Sequence, residues 1–195
     1  EKRLMLGNSI EKIDGVNQLV DIKKFHLDRI KSLFDIDYIS KRLKKMKLRI
    51  FVDSMHGSAA NCMAEIFASN DLEVISEIRK DADPFFGGKP PEPLLNYADD
   101  LKQTLMKNST NEVKTLGIIF DGDGDRIAAI DEKGRYSSTQ DLLPYFISYL
   151  GEIKNNSYPV LKTVSGSDII KNISESQNRD VFELPVGFKY IAEKM

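Results

Sequence analysis

The 195-residue chain has one cysteine, two histidines and almost no excess of either charge sign, its formal net charge being −2. Cys62 cannot close an internal disulfide, and alone it offers no thiolate metal cluster. It sits in Ala59-Ala60-Asn61-Cys62-Met63-Ala64, which reads as a helix interior. No His or Lys flanks it to lower its pKa, so a plain, unreactive buried thiol is expected, and a cytoplasmic home fits such cysteine usage. The near-neutral charge gives no general attraction to nucleic acid or to an anionic membrane surface. No apolar run reaches the roughly eighteen residues that a membrane span requires. The first residues, Glu1 to Met5, lack the apolar stretch of a signal peptide and an initiator Met, so a piece of something longer is expected. Internal repeats and low-complexity tracts are absent as well.

Hydrophobic residues make up 41% of the chain and charged residues 30%, the balance of a folded globular protein. Residues 1–22 show no clean period and carry the turn signals Gly7-Asn8 and Asp14-Gly15, which suits a connector or the tail of a preceding domain. From Asp21 to about Met46, Phe25, Ile30, Leu33, Phe34, Ile39 and Leu43 recur at helical spacing. The basic run Lys41 to Lys47 suits a solvated helix C-terminus. Strand patterns follow at 48–53, 72–75, 113–120 and 127–130, with helices expected over 59–68 and 94–106 and a Pro/Gly-rich loop over 81–93. A second unit opens near Gly134. Thr139-Gln140-Asp141 can cap a helix through Leu150, and strands at 159–164 and 180–184 alternate with helices from Ile169 and Tyr190. The fold class expected is α/β, a layered mixed sheet flanked by helices, with one complete domain (23–133) and part of a similar second one (134–195).

The chemistry concentrates in Asp121-Gly122-Asp123-Gly124-Asp125-Arg126. Three carboxylates alternate with two glycines directly after the apolar run Leu116 to Phe120. A carboxylate pair about 4 Å apart repels by roughly 4 kcal/mol at an effective dielectric near 20, so three at one strand end call for a cation. Oxygen-only ligands select a hard divalent ion, Mg2+ or Ca2+, over zinc. Gly122 and Gly124 let the backbone turn sharply enough for alternate side chains to converge.

Other owners of such a loop fit less well. An EF-hand would use Asp121, Asp123 and Asp125, with Glu132 at its twelfth position, but Arg126 stands where its sixth-position glycine is needed and both flanks read as strands. A haloacid-dehalogenase-type phosphatase would use Asp121 and Asp123, yet Asp125 replaces its usual Thr or Val. A nucleotide loop would suffer three carboxylates facing a phosphate. A non-catalytic divalent-metal-binding α/β module remains open.

Phe120 to Arg126, followed by Asp131-Glu132-Lys133-Gly134, resembles the metal loop of the α-D-phosphohexomutases, the phosphoglucomutases and phosphomannomutases. Val52-Asp53 with His56-Gly57 resembles the turn opening that family's second domain, and Pro91-Glu92-Pro93 its Pro-rich loop. Thr163 to Ser167 resembles the start of the third domain, and Val186-Gly187-Phe188-Lys189-Tyr190-Ile191 a later loop there. The resemblance implies a four-domain parent of which this chain holds the second domain and part of the third. The missing first domain would carry a phosphoserine in a Ser-His-Asn run, and in this chain no Ser is followed by His. The fourth domain would also lie elsewhere.

It further implies phosphoryl transfer between the 1- and 6-positions of a hexose phosphate through a hexose bisphosphate, with Mg2+ on Asp121, Asp123 and Asp125. Arg126 would act as a catalytic and substrate-binding cation, although a plain salt bridge to a neighbouring Asp is its bland alternative. Gly187 and Lys189 would approach the substrate. For His56 a turn-and-cap role is expected rather than general base, and His26 carries no functional expectation. The Gly-Phe-Lys form of the 187–189 loop leans towards phosphoglucomutase-like members.

Overall fold

The structure, a computed structural model, describes residues 21–67 and 74–195. The connector expected over 1–22 therefore lies outside the described residues up to residue 20. Helix α1 (Ile22–Leu33) and helix α2 (Ile36–Lys45) each begin at an Asp whose carboxylate accepts a backbone N–H, Asp21 from Lys24 and Asp35 from Tyr38. The helical stretch expected from Asp21 to Met46 is thus two helices, separated where Phe34 turns extended and Asp35 starts a new cap. The buried stripe also differs from expectation. Phe25, Leu33 and Phe34 are mostly exposed, whereas Leu27, between Phe25 and Ile30, anchors α1 in the core. The basic residues Arg42, Lys44 and Lys45 occupy the last turn of α2, as expected, where cations suit the helix dipole.

Five strands form the main sheet: β1 (Leu48–Asp53), β2 (Ile75–Ile78), β3 (Lys114–Phe120), β4 (Ile127–Asp131) and β5 (Tyr136–Ser137), in the order β2-β1-β3-β4-β5. Strands β2, β1 and β3 run parallel, while β3, β4 and β5 pair antiparallel, so the sheet is mixed. Successive side chains of β1 face opposite ways. Val52 joins Leu27, Leu43, Ile66, Phe67, Val74 and Ile75 beneath α1, α2 and helix α3 (Cys62–Phe67). Phe51 joins Leu101, Leu105, Ile119 and Ile130 beneath helix α4 (Asp99–Asn108). Gly117 lets α4 lie close on the sheet, since a Cβ there would come within 2.7 Å of Leu101 Cδ2.

The strand expected at 72–75 begins at Ile75 instead and runs to Ile78, and residues 72 and 73 lie outside the described set. Polar Ser76 and Glu77 hide it from a hydrophobic reading, and they are tolerated because β2 is an edge strand. The helix expected over 94–106 starts later, at Asp99, after a single 3-10 turn at Leu95–Tyr97. β5 was not expected, and it extends the sheet past Gly134.

Helix α5 (Thr139–Ser148) starts from a reciprocal cap between Ser138 and Asp141 and continues into a π turn through Ile153. Strands β6 (Val160–Thr163) and β7 (Val181–Leu184) form a second, parallel two-stranded sheet, with helix α6 (Asp168–Ser176) between them and helix α7 (Phe188–Lys194) after them. The whole is α/β, a mixed sheet flanked by helices.

One buried ion pair ties the C-terminal ends of β1 and β2. Asp53 is fully buried, and Arg79 grips it with Nε at 2.8 Å and Nη2 at 2.5 Å. Nη2 also donates to the Tyr97 carbonyl, and Asp53 Oδ1 accepts the Met55 N–H. Removing one partner leaves a buried charge unpaired, so Arg79→Met is expected to destabilise the chain by about 3–5 kcal/mol in urea denaturation. A loss below about 1 kcal/mol, the level of an exposed pair, would show that water reaches Asp53.

Candidate functional site

The acidic run forms the hairpin loop between β3 and β4, whose last pair is Phe120–Ile127. Strands on both sides exclude the helix–loop–helix of an EF-hand. Ligand oxygens of Asp121, Asp123 and Asp125 lie within 4.8 Å of one another, and among the described residues this is the one cluster of its kind. Gly124 at φ +81° makes the turn that brings Asp123 and Asp125 round to the same side as Asp121.

Two neighbouring loops hold this backbone in place. The turn after β1 passes through left-handed Met55 and His56 to Gly57. A Cβ on Gly57 would stand 2.4 Å from the Gly122 carbonyl oxygen, so the two backbones touch. Next to this contact the Ser58 N–H donates to that same carbonyl at 2.9 Å. From the other side Gly122 N–H donates to the Pro91 carbonyl at 3.0 Å, and the Pro91 ring and Phe86 leave no room for a side chain on Gly122. The Pro-rich loop is itself pinned. The Asp83 carboxylate accepts the Phe85 and Gly87 N–H groups, which hold it below the usual carboxylate range, and Tyr136 Oη donates to the Pro93 carbonyl.

The turn after β1 has its own support. The Glu77 carboxylate, reaching from β2, accepts the Asn61 N–H at 2.6 Å and the Ala64 N–H at 2.7 Å. His56 donates its backbone N–H to the Arg79 carbonyl, and its Nδ1 lies 2.7 Å from the Asp81 carbonyl, which fits the turn role expected of it. Cys62 opens α3 instead of sitting inside a longer helix, and burial pushes its thiol up against the pull of Lys23.

Electrostatically the three acids are not equivalent. Burial disfavours the charge on Asp121, but the Arg126 N–H and guanidinium outweigh it and hold the carboxyl below its ordinary value. The exposed Asp125 is pushed up by its hydrogen bond to Asp121 and by the negative charges of Asp123 and Asp121. Arg126 pairs with Asp121 at 2.6 Å through Nε while about half of its side chain, 53%, stays exposed. Its hydrogen bond to Asp121 raises the guanidinium further, and Glu92 of the Pro-rich loop adds to that.

Gly187 and Lys189 follow β7 of the second sheet. Gly187, at φ +137°, precedes α7 at the C-terminal end of β7, and the Lys189 ammonium lies over the Tyr190 ring at 4.7 Å. Among the described residues no hydrogen bond or ion pair joins either to the acidic loop. Both sheets do point the C-terminal ends of parallel strands at their loops, the edge where open α/β sheets bind ligands. A link between them was not foreseen. Thr139 Oγ1 donates to the Ile127 carbonyl, just beyond Arg126, and the Gln140 amide bridges the Ser165 carbonyl and the Ser167 N–H. Glu77 and Gln140 were both missed: the only trace of Glu77 is a carboxylate within a strand pattern, and Gln140 leaves none.

Fold and site together define a layered α/β protein carrying an all-carboxylate hairpin at the C-terminal edge of its parallel strands. The chain belongs to the phosphoglucomutase/phosphomannomutase family: it matches that family's alpha/beta/alpha domain II over residues 24–134 and its alpha/beta/alpha domain III over 139–195. It is 27% identical over 187 residues to phosphoglucomutase 1 of Drosophila melanogaster, covering 91% of this chain and 33% of that one. To phosphoglucosamine mutase of Campylobacter jejuni it is 28% identical over 190 residues, covering 95% and 39%. The open form of pp63/parafusin, a phosphoglucomutase from Paramecium, has the same fold at a TM-score of 0.71 and 23% identity, covering 90% of this chain and 31% of that one. The chain thus spans about a third of the length of the curated relatives it matches. Relatives of both sugar types leave the lean towards phosphoglucomutase undecided, and the match to consecutive domains displaces the phosphatase reading. Among the described residues no helix is long and apolar enough to cross a membrane.

Because Gly57 and Gly122 touch through their backbones, Gly57→Ala is expected to push the acidic loop aside. The expected signs are faster hydrogen exchange at the Ser58 and Gly122 amides and a stability loss of about 1–3 kcal/mol. Unchanged exchange at both amides would show that the turn gives way instead of the loop.

Proposed function

We propose that this chain supplies the metal loop and part of the substrate cleft of a phosphohexomutase, with residues 23–133 as its second domain and 134–195 as part of its third. The parent moves a phosphoryl group between the 1- and 6-positions of a hexose phosphate. The serine-bound phosphoryl passes to the free sugar hydroxyl, giving a hexose bisphosphate, and after reorientation the sugar's other phosphoryl returns to the serine. The observation that carries this reading is the three-carboxylate hairpin, set in a chain that matches consecutive domains of one mutase family.

The donor set fits a hard divalent ion, because all three ligands are carboxylate oxygens and the one cation beside them, Arg126, leaves Asp125 still pushed up by its acidic neighbours. The three ligand oxygens lie within 4.8 Å of one another, close enough for a single ion to be shared by all three. Asp121, Asp123 and Asp125 would hold Mg2+, and the bound ion would supply positive charge for the oxygens of the transferring phosphoryl group. Arg126, half exposed beside them, adds a permanent positive charge suited to phosphate oxygens. Gly187 lets its loop approach a ligand closely, and Lys189 offers a mobile point charge for a phosphate. The donor serine belongs outside these residues, since no Ser-His-Asn run occurs among them.

Two assays test this. In the full-length protein, Asp123→Asn is expected to lower kcat by about 100-fold or more, the scale of removing one preorganised electrostatic contact. The 195-residue chain alone, given glucose 1-phosphate, glucose 1,6-bisphosphate and Mg2+, is expected to show no interconversion. Near-normal turnover of the substituted enzyme would overturn the metal assignment. Turnover by the isolated chain would place a nucleophile inside it.

A further inference from the structure

The Asp121 carboxylate is fully buried, and both of its oxygens are engaged by one residue. Oδ1 accepts the Arg126 backbone N–H at 3.0 Å, and Oδ2 accepts Arg126 Nε at 2.6 Å. The same Nε stands 3.8 Å from Asp125 Oδ1. Two of the three candidate metal ligands therefore already share a cation, supplied by the loop itself. Its anchoring is uneven. The bond to Oδ1 is made by backbone at the root of β4, whereas the bond to Oδ2 hangs on a long side chain that is 53% exposed. The side chain can leave without unmaking the hairpin.

We propose that Arg126 is a resident counter-ion which competes with the divalent metal for Asp121, so that metal loading frees its guanidinium from Oδ2 into the cleft. This rests on the metal site proposed above and adds a coupling within it. An ion about 2.1 Å from Asp121 Oδ2 would lie within about 5 Å of an Nε still bound to that oxygen at 2.6 Å. The resulting repulsion, a divalent charge against a single one, weakens metal binding about tenfold even at a water-like dielectric. Swinging the guanidinium outward removes that repulsion and leaves five donors free for an anionic ligand. The arrangement also explains how the acidic loop stays folded before an ion arrives, since Asp121 is never buried unpaired.

Calorimetric titration of the chain with Mg2+ separates the possibilities. Arg126→Gln, which keeps the backbone N–H to Oδ1 but removes the positive charge, is expected to bind Mg2+ about tenfold more tightly than the unsubstituted chain. Arg126→Lys, which keeps the charge, is expected to bind within about threefold of it. Independently of any substitution, the Arg126 Nε–H signal of the unsubstituted chain is expected to exchange faster with water at saturating Mg2+ as its bond to Oδ2 breaks. Equal or weaker binding by Arg126→Gln, or an Nε–H signal unmoved by bound Mg2+, would overturn the competition while leaving the metal site intact. Absence of Mg2+ binding by both the unsubstituted chain and Arg126→Gln would overturn the site and the competition together.

Discussion

The contact between the backbones of Gly57 and Gly122 is what the site depends on. An acidic hairpin of six residues would wander if it were held only by the strands at its two ends. Here the middle of the loop is pressed between the turn after β1 and the Pro-rich loop, with one hydrogen bond to each, from Ser58 and to Pro91. Neither Gly57 nor Gly122 has room for a side chain, because each already faces another loop. The positions of Asp121, Asp123 and Asp125 follow from that packing.

The supports of those two loops come from all over the main sheet. Glu77 on the edge strand satisfies N–H groups at the start of α3, and the Asp53–Arg79 pair locks the turn after β1 to the loop before α4. A buried ion pair of this kind specifies geometry more than it adds stability, since its desolvation cost is close to its attraction. It stands where the ends of three parallel strands must be held in register for the acidic loop to keep its shape. On the far side, Thr139 and Gln140 carry the connection on to the loop after β6, so the main sheet and the two-stranded sheet are linked next to Arg126.

Much of this was legible in the sequence. Strands β1, β3 and β4 announced themselves as apolar runs bounded by turns, and the Asp-Gly alternation between β3 and β4 marked the loop in which three carboxylates converge. What escaped was polar. β2 was misplaced since its Ser76 and Glu77 serve hydrogen bonds and an exposed edge, which no hydrophobic period records. The α1 stripe was misaligned because Phe25 and Phe34 are apolar yet exposed, so composition alone could not say which face was inward. Arg79, Glu77 and Gln140 act across 13 to 27 residues of chain, and contacts of that separation leave no mark on local spacing.

The central claim is that the hairpin at Asp121 to Asp125 is the chain's divalent-cation site. Paramagnetic broadening by Mn2+ tests it most directly, because the effect falls off steeply with distance and reports position as well as affinity. In a nitrogen-15 spectrum of the chain, substoichiometric Mn2+ should erase the amide signals of residues 121–126 and of Ser58 first, and excess Mg2+ should restore them. Broadening centred on any other part of the chain, or none at all, would contradict the account.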